Sequence, residues 1–349
     1  MSLKINRICL NCSLVTGFLL LLQVASGQYD FSAADQLLQR NQKQLGNEVA
    51  ALVWKDGKII YQKELGTDFN AKTQAPVANG SMWFTAAVVM TFVEQGKLSL
   101  DDPVGKYIPI FNSYMKGYIT IRHCLSHTTG IERDKGFLAK VLYAKKYETL
   151  EAEVNAIAAK EISNNTGKEF HYGNYGPIIA ARVLEVIGKK NFERLAMERL
   201  FRPLKMRGTS FDNNGMAPNP SGGALSTAND YLNFLSMLLN KGMFEGKQIL
   251  SAESIEEMQK TQMPGLPVKY KPKIAEGFDY GLGEWIQEKD ANGNSTVISS
   301  PGLFGTWPYI DKCRNYAAII FVRNLVNDSK KDVMVQFKEI VDAQVGACK

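Results

Sequence analysis

Histidine is scarce in this 349-residue chain, which contains only His123, His127 and His171. None falls in an H-E-x-x-H pattern and no G-x-S-x-G occurs, so zinc hydrolases of that type and α/β-hydrolases are poorly supported. Cysteine is sparse as well. Cys9 and Cys12 lie in the first 27 residues, leaving Cys124, Cys313 and Cys348, an odd set without the paired spacing of a zinc site. That set forms no disulfide framework but leaves room for one Cys313–Cys348 bridge in an oxidising compartment. Basic residues do not cluster among aromatics, and the formal charge of +6 drops to +4 without Lys4 and Arg7, the only charges in residues 1–27. A surplus that small indicates no nucleic-acid partner. Beyond the N-terminus no apolar run approaches the roughly 18 residues of a membrane span. There is no internal repeat, no low-complexity tract, and no long apolar-poor stretch of the kind that stays disordered.

What the chain does contain is an ordinary globular composition, 45% apolar and 22% charged. Lys4 and Arg7 precede an apolar stretch over residues 15–25, and Ala25 and Gly27 stand at −3 and −1 of a cut before Gln28. This pattern predicts a signal peptide over 1–27 and export, to a periplasm or out of the cell, with no membrane anchor after cleavage. Cys12 precedes the apolar core, which argues against a lipoprotein. The mature chain, 28–349, then reads as one domain.

Residues 32–45 have helical periodicity, with Ser32 and Asp35 expected to form a capping box. A hairpin is predicted over 49–54 and 59–65, turning at Asp56-Gly57. The nearly all-apolar stretch 83–94 should be a buried helix ended by Gly96. The middle is mostly helical: 174–187 ends at Gly188 and 191–200 before Pro203. Thr227 is expected to cap 228–239, and Ser254 with Glu257 another short helix. Strands return at 280–287, 295–300, 303–310 and 316–322, and a helix over 332–345 closes the chain. This order predicts the α/β (α+β) class: an antiparallel sheet flanked by terminal helices, with an inserted all-helical lobe. The α/β lobe would take about 28–75 and 265–349, and the helical lobe about 76–264, with a cleft between them as the default binding site.

Five stretches are similar to one family and occur in its order. They are "VEQGKLSLDDPVGKYIP" (93–109), "ITIRHCLSHTTGI" (119–131), "YGNYG" (172–176), "FRPLKMRGTSF" (201–211) and "GGALSTANDYLNFLSMLL" (222–239). Together the chain resembles the class C β-lactamase and penicillin-binding-protein-like serine hydrolases, which include D-alanyl-D-alanine peptidases, esterases and catalytically silent relatives. The resemblance implies a β-lactamase/transpeptidase-like fold, no cofactor, and three active-site elements. These are S-x-x-K at the start of the buried helix, Y-x-N on a loop of the helical lobe, and a K-T-G-like or H-x-G-like triplet on a strand. Backbone N–H groups at the nucleophile and just after the triplet would form an oxyanion hole.

In that register the nucleophile position holds Asn79 and the base position Met82. A carboxamide nitrogen is a very poor nucleophile, and a thioether accepts no proton at neutral pH. Both residues have plain structural readings: Asn79 as a helix N-cap and Met82 as an apolar filler. The second element is intact as Tyr172-Gly173-Asn174, with Tyr172 a polar wall of the cleft and Asn174 a contact for a substrate amide. The same residues also suit a turn and a helix start. The third falls on Ser300-Pro301-Gly302, with Leu303 N–H as the second oxyanion donor; Pro301 suggests an edge strand. A strand with a bend is the bland alternative. Ser81 is the one nearby hydroxyl, but two residues beyond 79 it points to nearly the opposite side of a helix, and position 84 is Phe. His127 reads as a satisfied buried histidine.

The leading expectation is therefore a catalytically impaired, ligand-binding relative. Its ligands, by resemblance only, are D-amino-acid peptides, acylated small molecules or cell-wall fragments. An active hydrolase with a non-standard nucleophile such as Ser81 is the alternative, and a structural or interaction module the third reading. No metal site is expected.

Overall fold

A computed structural model describes residues 29–132, 147–162, 165–323 and 331–348. Residues 1–27, expected to be a signal peptide, lie outside the described residues.

Seven antiparallel strands form the main sheet. They are β1 (Val49–Lys55), β2 (Lys58–Leu65), β3 (Asp279–Tyr280), β4 (Trp285–Lys289), β5 (Ser295–Ser299), β6 (Trp307–Asp311) and β7 (Tyr316–Val322). Their order is β2-β1-β7-β6-β5-β4-β3, so the N-terminal hairpin pairs directly with the C-terminal strands. Strand alternation sorts the side chains by face. Val49, Ala51 and Val53 of β1 and Ala318, Ile320 and Val322 of β7 join a core with Phe31, Leu37 and Phe337, from and beside the terminal helices Ser32–Arg40 and Lys331–Val345. Ala50, Leu52, Ala317, Ile319 and Phe321 face the other way, into a core shared with Phe234 and Leu235 of helix Ala228–Leu239. The sheet is thus covered on both faces.

The central helix, Ser81–Glu94, is buried from Ser81 through Phe92, as expected of a helix apolar all round. Helices Tyr175–Gly188 and Ala228–Leu239 pack around it, and Trp83 and Phe84 both stack edge-on against Phe234. Gly176 allows the first of these helices to approach closely, because a Cβ there would fall 1.9 Å from Cys124 O.

Several local expectations are corrected. The first helix stops at Arg40, and Ser32 forms no capping box. Asp30 accepts the Ser32 N–H instead, while Asp35 reaches across to Tyr61 and Lys63. The short helix Ala252–Met258 is capped by Ser251, not Ser254. Asn191 caps Phe192–Ala196, after which the chain widens into a π-turn over Met197–Phe201. The stretch 280–287 is not one strand, because Gly283 (φ 80°) turns the chain between β3 and β4. The last-but-one strand begins at Trp307 rather than 303, since 302–306 close a turn through Gly305 N–H to Gly302 O. Pro301 does not mark an edge: β5 lies inside the sheet, and Pro301 stands two residues beyond its end, outside the ladder.

Cys313 and Cys348 form a disulfide that ties the C-terminal tail to the β6–β7 turn. Beside it the buried Lys338 ammonium bridges Asp342 (2.8 Å), Glu288 (3.1 Å) and Asp311 (3.4 Å).

Candidate active-site cleft

Ahead of the central helix the chain makes a tight 3-10 turn, Ala78–Gly80, and Ala78 adopts φ 45°, a left-handed conformation that costs a side-chain-bearing residue about 1–2 kcal/mol. Neighbours on both sides hold it. Val77 N–H donates to Ala224 O (3.0 Å) and Thr85 Oγ1 to Pro220 O (2.7 Å). Tyr231, fully buried, donates its hydroxyl to Gly80 O (2.9 Å). On the sheet side a Cβ on Gly302 would lie 2.4 Å from Val77 O, and one on Gly80 would lie 3.4 Å from Ser300 O. Residues 77–80 are therefore in contact with both 220–224 and 300–302.

Asn79 sits in the middle of this turn, half-buried. It does not cap the helix: the N-cap position is Gly80, and no side chain caps it, because the 3-10 turn displaces the helix start by one residue. Among the described residues neither the Asn79 nor the Leu303 N–H donates a hydrogen bond. Both amides flank the contact between Val77 and Gly302. Ser300 is buried, with its own N–H bound to Pro308 O (3.2 Å).

Met82 is 1% exposed and belongs to the same apolar cluster as Phe170, Tyr172, Tyr280 and Trp285. The Tyr172 ring lies 4.6 Å from His127, 5.0 Å from Trp285 and 5.8 Å from Tyr280, centroid to centroid. His127 fixes this wall. Its Nδ1 accepts the Gly173 N–H (3.4 Å), so the ring proton is on Nε2, which donates to Tyr280 Oη (2.9 Å). Burial depresses its pKa to about 3, with His171 adding to the effect, so the ring is neutral at physiological pH. Asn174 follows, half-buried, at the start of helix Tyr175–Gly188 without capping it.

Ser81 lies elsewhere. It is fully buried, and its Oγ accepts the Ala224 N–H at 3.0 Å. Among the described residues no group of three or more His, Cys, Asp or Glu side chains converges as a metal site would require, and no helix is long and apolar enough to cross a membrane.

Sequence reasoning passed over the aromatic wall of Tyr280 and Trp285, the Tyr231 strut and Glu284. The run Tyr280-Gly281-Leu282-Gly283-Glu284-Trp285 carried the signal: two glycines amid large side chains mark a close approach. A Cβ on Gly283 would lie 2.6 Å from Met82 O. Glu284 is 0% exposed, and among the described residues neither carboxyl oxygen has a hydrogen-bond partner. Burial pushes its pKa well above the usual carboxylate range. The Lys312 charge and the Trp83 indole beside it pull the other way.

A buried helix whose first turn meets a Tyr-x-Asn loop and a strand end, beside a seven-stranded antiparallel sheet, defines the architecture of the β-lactamase-like serine hydrolases. The Beta-lactamase family model matches residues 34–342, and the chain belongs to that family. It is 31% identical to a beta-lactamase-like protein of Bacteroides dorei DSM 17855, with a TM-score of 0.81 over 91% of this chain and 99% of that one. An octameric penicillin-binding protein homologue of Pyrococcus abyssi shares the fold at 20% identity, with a TM-score of 0.71 over 90% and 78% of the two chains. Among curated relatives, protein flp of Staphylococcus aureus (strain MW2) is 26% identical over 170 residues, 46% of this chain. The chain matches only about a third of the length of these curated relatives (34%).

Proposed function

We propose that this chain is an exported, ligand-binding member of the family that has lost covalent hydrolysis. One observation carries the reading: a carboxamide and a thioether, Asn79 and Met82, occupy the positions where the family's chemistry calls for a hydroxyl and an amine, and Met82 is sealed among aromatic rings. In a serine protease, loss of the nucleophile alone lowers turnover by about 10⁶. Ser81 has no part in this reading, because its oxygen is buried and already engaged. The binding apparatus is another matter. Two unengaged backbone N–H groups, the Asn79 and Asn174 carboxamides and the Tyr172 wall suit an acyl or peptide carbonyl held without attack. The ligand class is a D-amino-acid peptide, an acylated small molecule or a cell-wall fragment. The Cys313–Cys348 bridge and the leader-like N-terminus support an oxidising compartment, a periplasm or the exterior of the cell.

The test pairs covalent labelling with binding. The purified chain should take up neither a fluorophosphonate nor a penicillin probe, yet bind an acylated D-amino-acid peptide in the micromolar range, about tenfold more weakly after Asn174→Ala. Stable labelling that disappears in Ser81→Ala would overturn the reading.

A further inference from the structure

The turn between β3 and β4 carries Glu284 into the core, and its surroundings can be traced group by group. Gly283 passes Met82 O, from which a Cβ would lie 2.6 Å, and its N–H donates to Leu125 O (3.2 Å). Leu282 N–H donates to Met258 O (2.8 Å); a Cβ on Gly281 would lie 2.2 Å from that oxygen and 3.4 Å from Glu284 Cγ. The carboxyl side chain thus lies beside the Met258–Gln259 peptide as well as the Trp83 indole. Gln259 is buried, and among the described residues its Nε2 has no acceptor. Its Oε1 accepts from Lys312 Nζ (2.9 Å), which also donates to Ser295 Oγ (3.1 Å). Lys312 is the cation whose charge bears on Glu284. Tyr231 and Tyr280 also lie within reach of that carboxyl, and burial keeps both phenols neutral.

We propose that Glu284 is a proton-operated latch: protonated, it holds the 281–285 turn against the central helix, and ionised, it is drawn toward Gln259 and Lys312 and loosens that turn. A neutral carboxyl can lie in this core, but a bare carboxylate there carries a large desolvation cost unless donors gather around it. Those at hand are the Trp83 indole, the unengaged Gln259 amide and, behind it, Lys312. Burial pushes the Glu284 carboxyl well above the usual carboxylate range, so the change falls on the alkaline side. Trp285, the next residue, transmits it: its ring lies 4.6 Å from Tyr280 and 5.0 Å from Tyr172. Loosening the turn therefore frees the aromatic wall of the cleft.

Tryptophan emission of the full chain, followed from pH 5 to 10, reads the wall, because Trp83 stands beside Glu284 and Trp285 follows it. The wild type should show one transition that Glu284→Gln lacks. Lys312→Met removes the answering charge and should move the midpoint upward by about one pH unit. Hydrogen exchange locates the change. Above the transition the amides of 281–285 should exchange about tenfold faster in the wild type than in Glu284→Gln at the same pH, with β1 and β7 protected in both. The same transition in Glu284→Gln, an unmoved midpoint in Lys312→Met, or a wild-type emission without a transition would overturn the proposal.

Discussion

Glu284 places a carboxyl group where solvent does not reach, beside the Trp83 indole of the central helix. Its folded-state pKa is raised, so the folded chain holds a proton that the unfolded chain releases above about pH 4.5. The sign follows: stability is greatest below that value and declines as pH rises toward the folded pKa, by about 1.4 kcal/mol per unit for this one group. His127 acts in the opposite sense. Its pKa is depressed to about 3, so stability falls as pH drops from 6.5. In urea denaturation between pH 5 and 8, Glu284→Gln should flatten the alkaline decline and exceed the wild type at pH 8. Parallel curves for the two proteins would show that the carboxyl is not a buried acid. At this scale it was the family resemblance that singled out positions 79 and 82, and the conformation of Asn79 was not legible. Ala78 in a left-handed turn breaks the pattern from which a cap would be read, and it is held there by contacts with residues 224 and 302, distant in sequence.

Elements that a local signal delimits were the legible ones. The hairpin turn at Asp56-Gly57 (φ 49° and 85°) and the Thr227 cap both follow from residue chemistry and appear where that chemistry places them. Elements shaped by distant neighbours were not. The chain breaks at Gly283 because Met82 O must pass close by, and residues 302–306 turn because Gly302 must press against Val77. The C-terminal helix is held by a bridge that the sparse cysteines left open but did not require. Closing 35 residues, Cys313–Cys348 should contribute about 3–4 kcal/mol. Cys348→Ser, or reduction of the wild type, should lower stability to denaturant by that order and have no further effect when combined. An unchanged midpoint in both cases would show that the bridge does not constrain the chain. Cys124 will not confuse the experiment, since burial pushes its thiol pKa upward and keeps it protonated.

For the molecule as a whole, the order of periodic segments disclosed the architecture, because strands at the two ends of the chain can satisfy their edges only by pairing with each other, as β1 and β7 do. The motif positions of the candidate site came from the family resemblance, and the aromatic wall around Tyr172 was illegible in the sequence. Tyr280 and Trp285 gather around Tyr172 only after strands β3 and β4 meet the segment 170–172. The proposal turns on Asn79 and Met82 standing where the family's chemistry calls for a hydroxyl and an amine. The most direct measurement is turnover of an activated nitrophenyl ester and a chromogenic β-lactam by the wild type beside the Asn79→Ser/Met82→Lys double variant, both verified as folded. No turnover above the uncatalysed rate is expected from the wild type, and a gain of at least tenfold over it from the double variant. Equal and substantial rates from the two proteins would contradict the account.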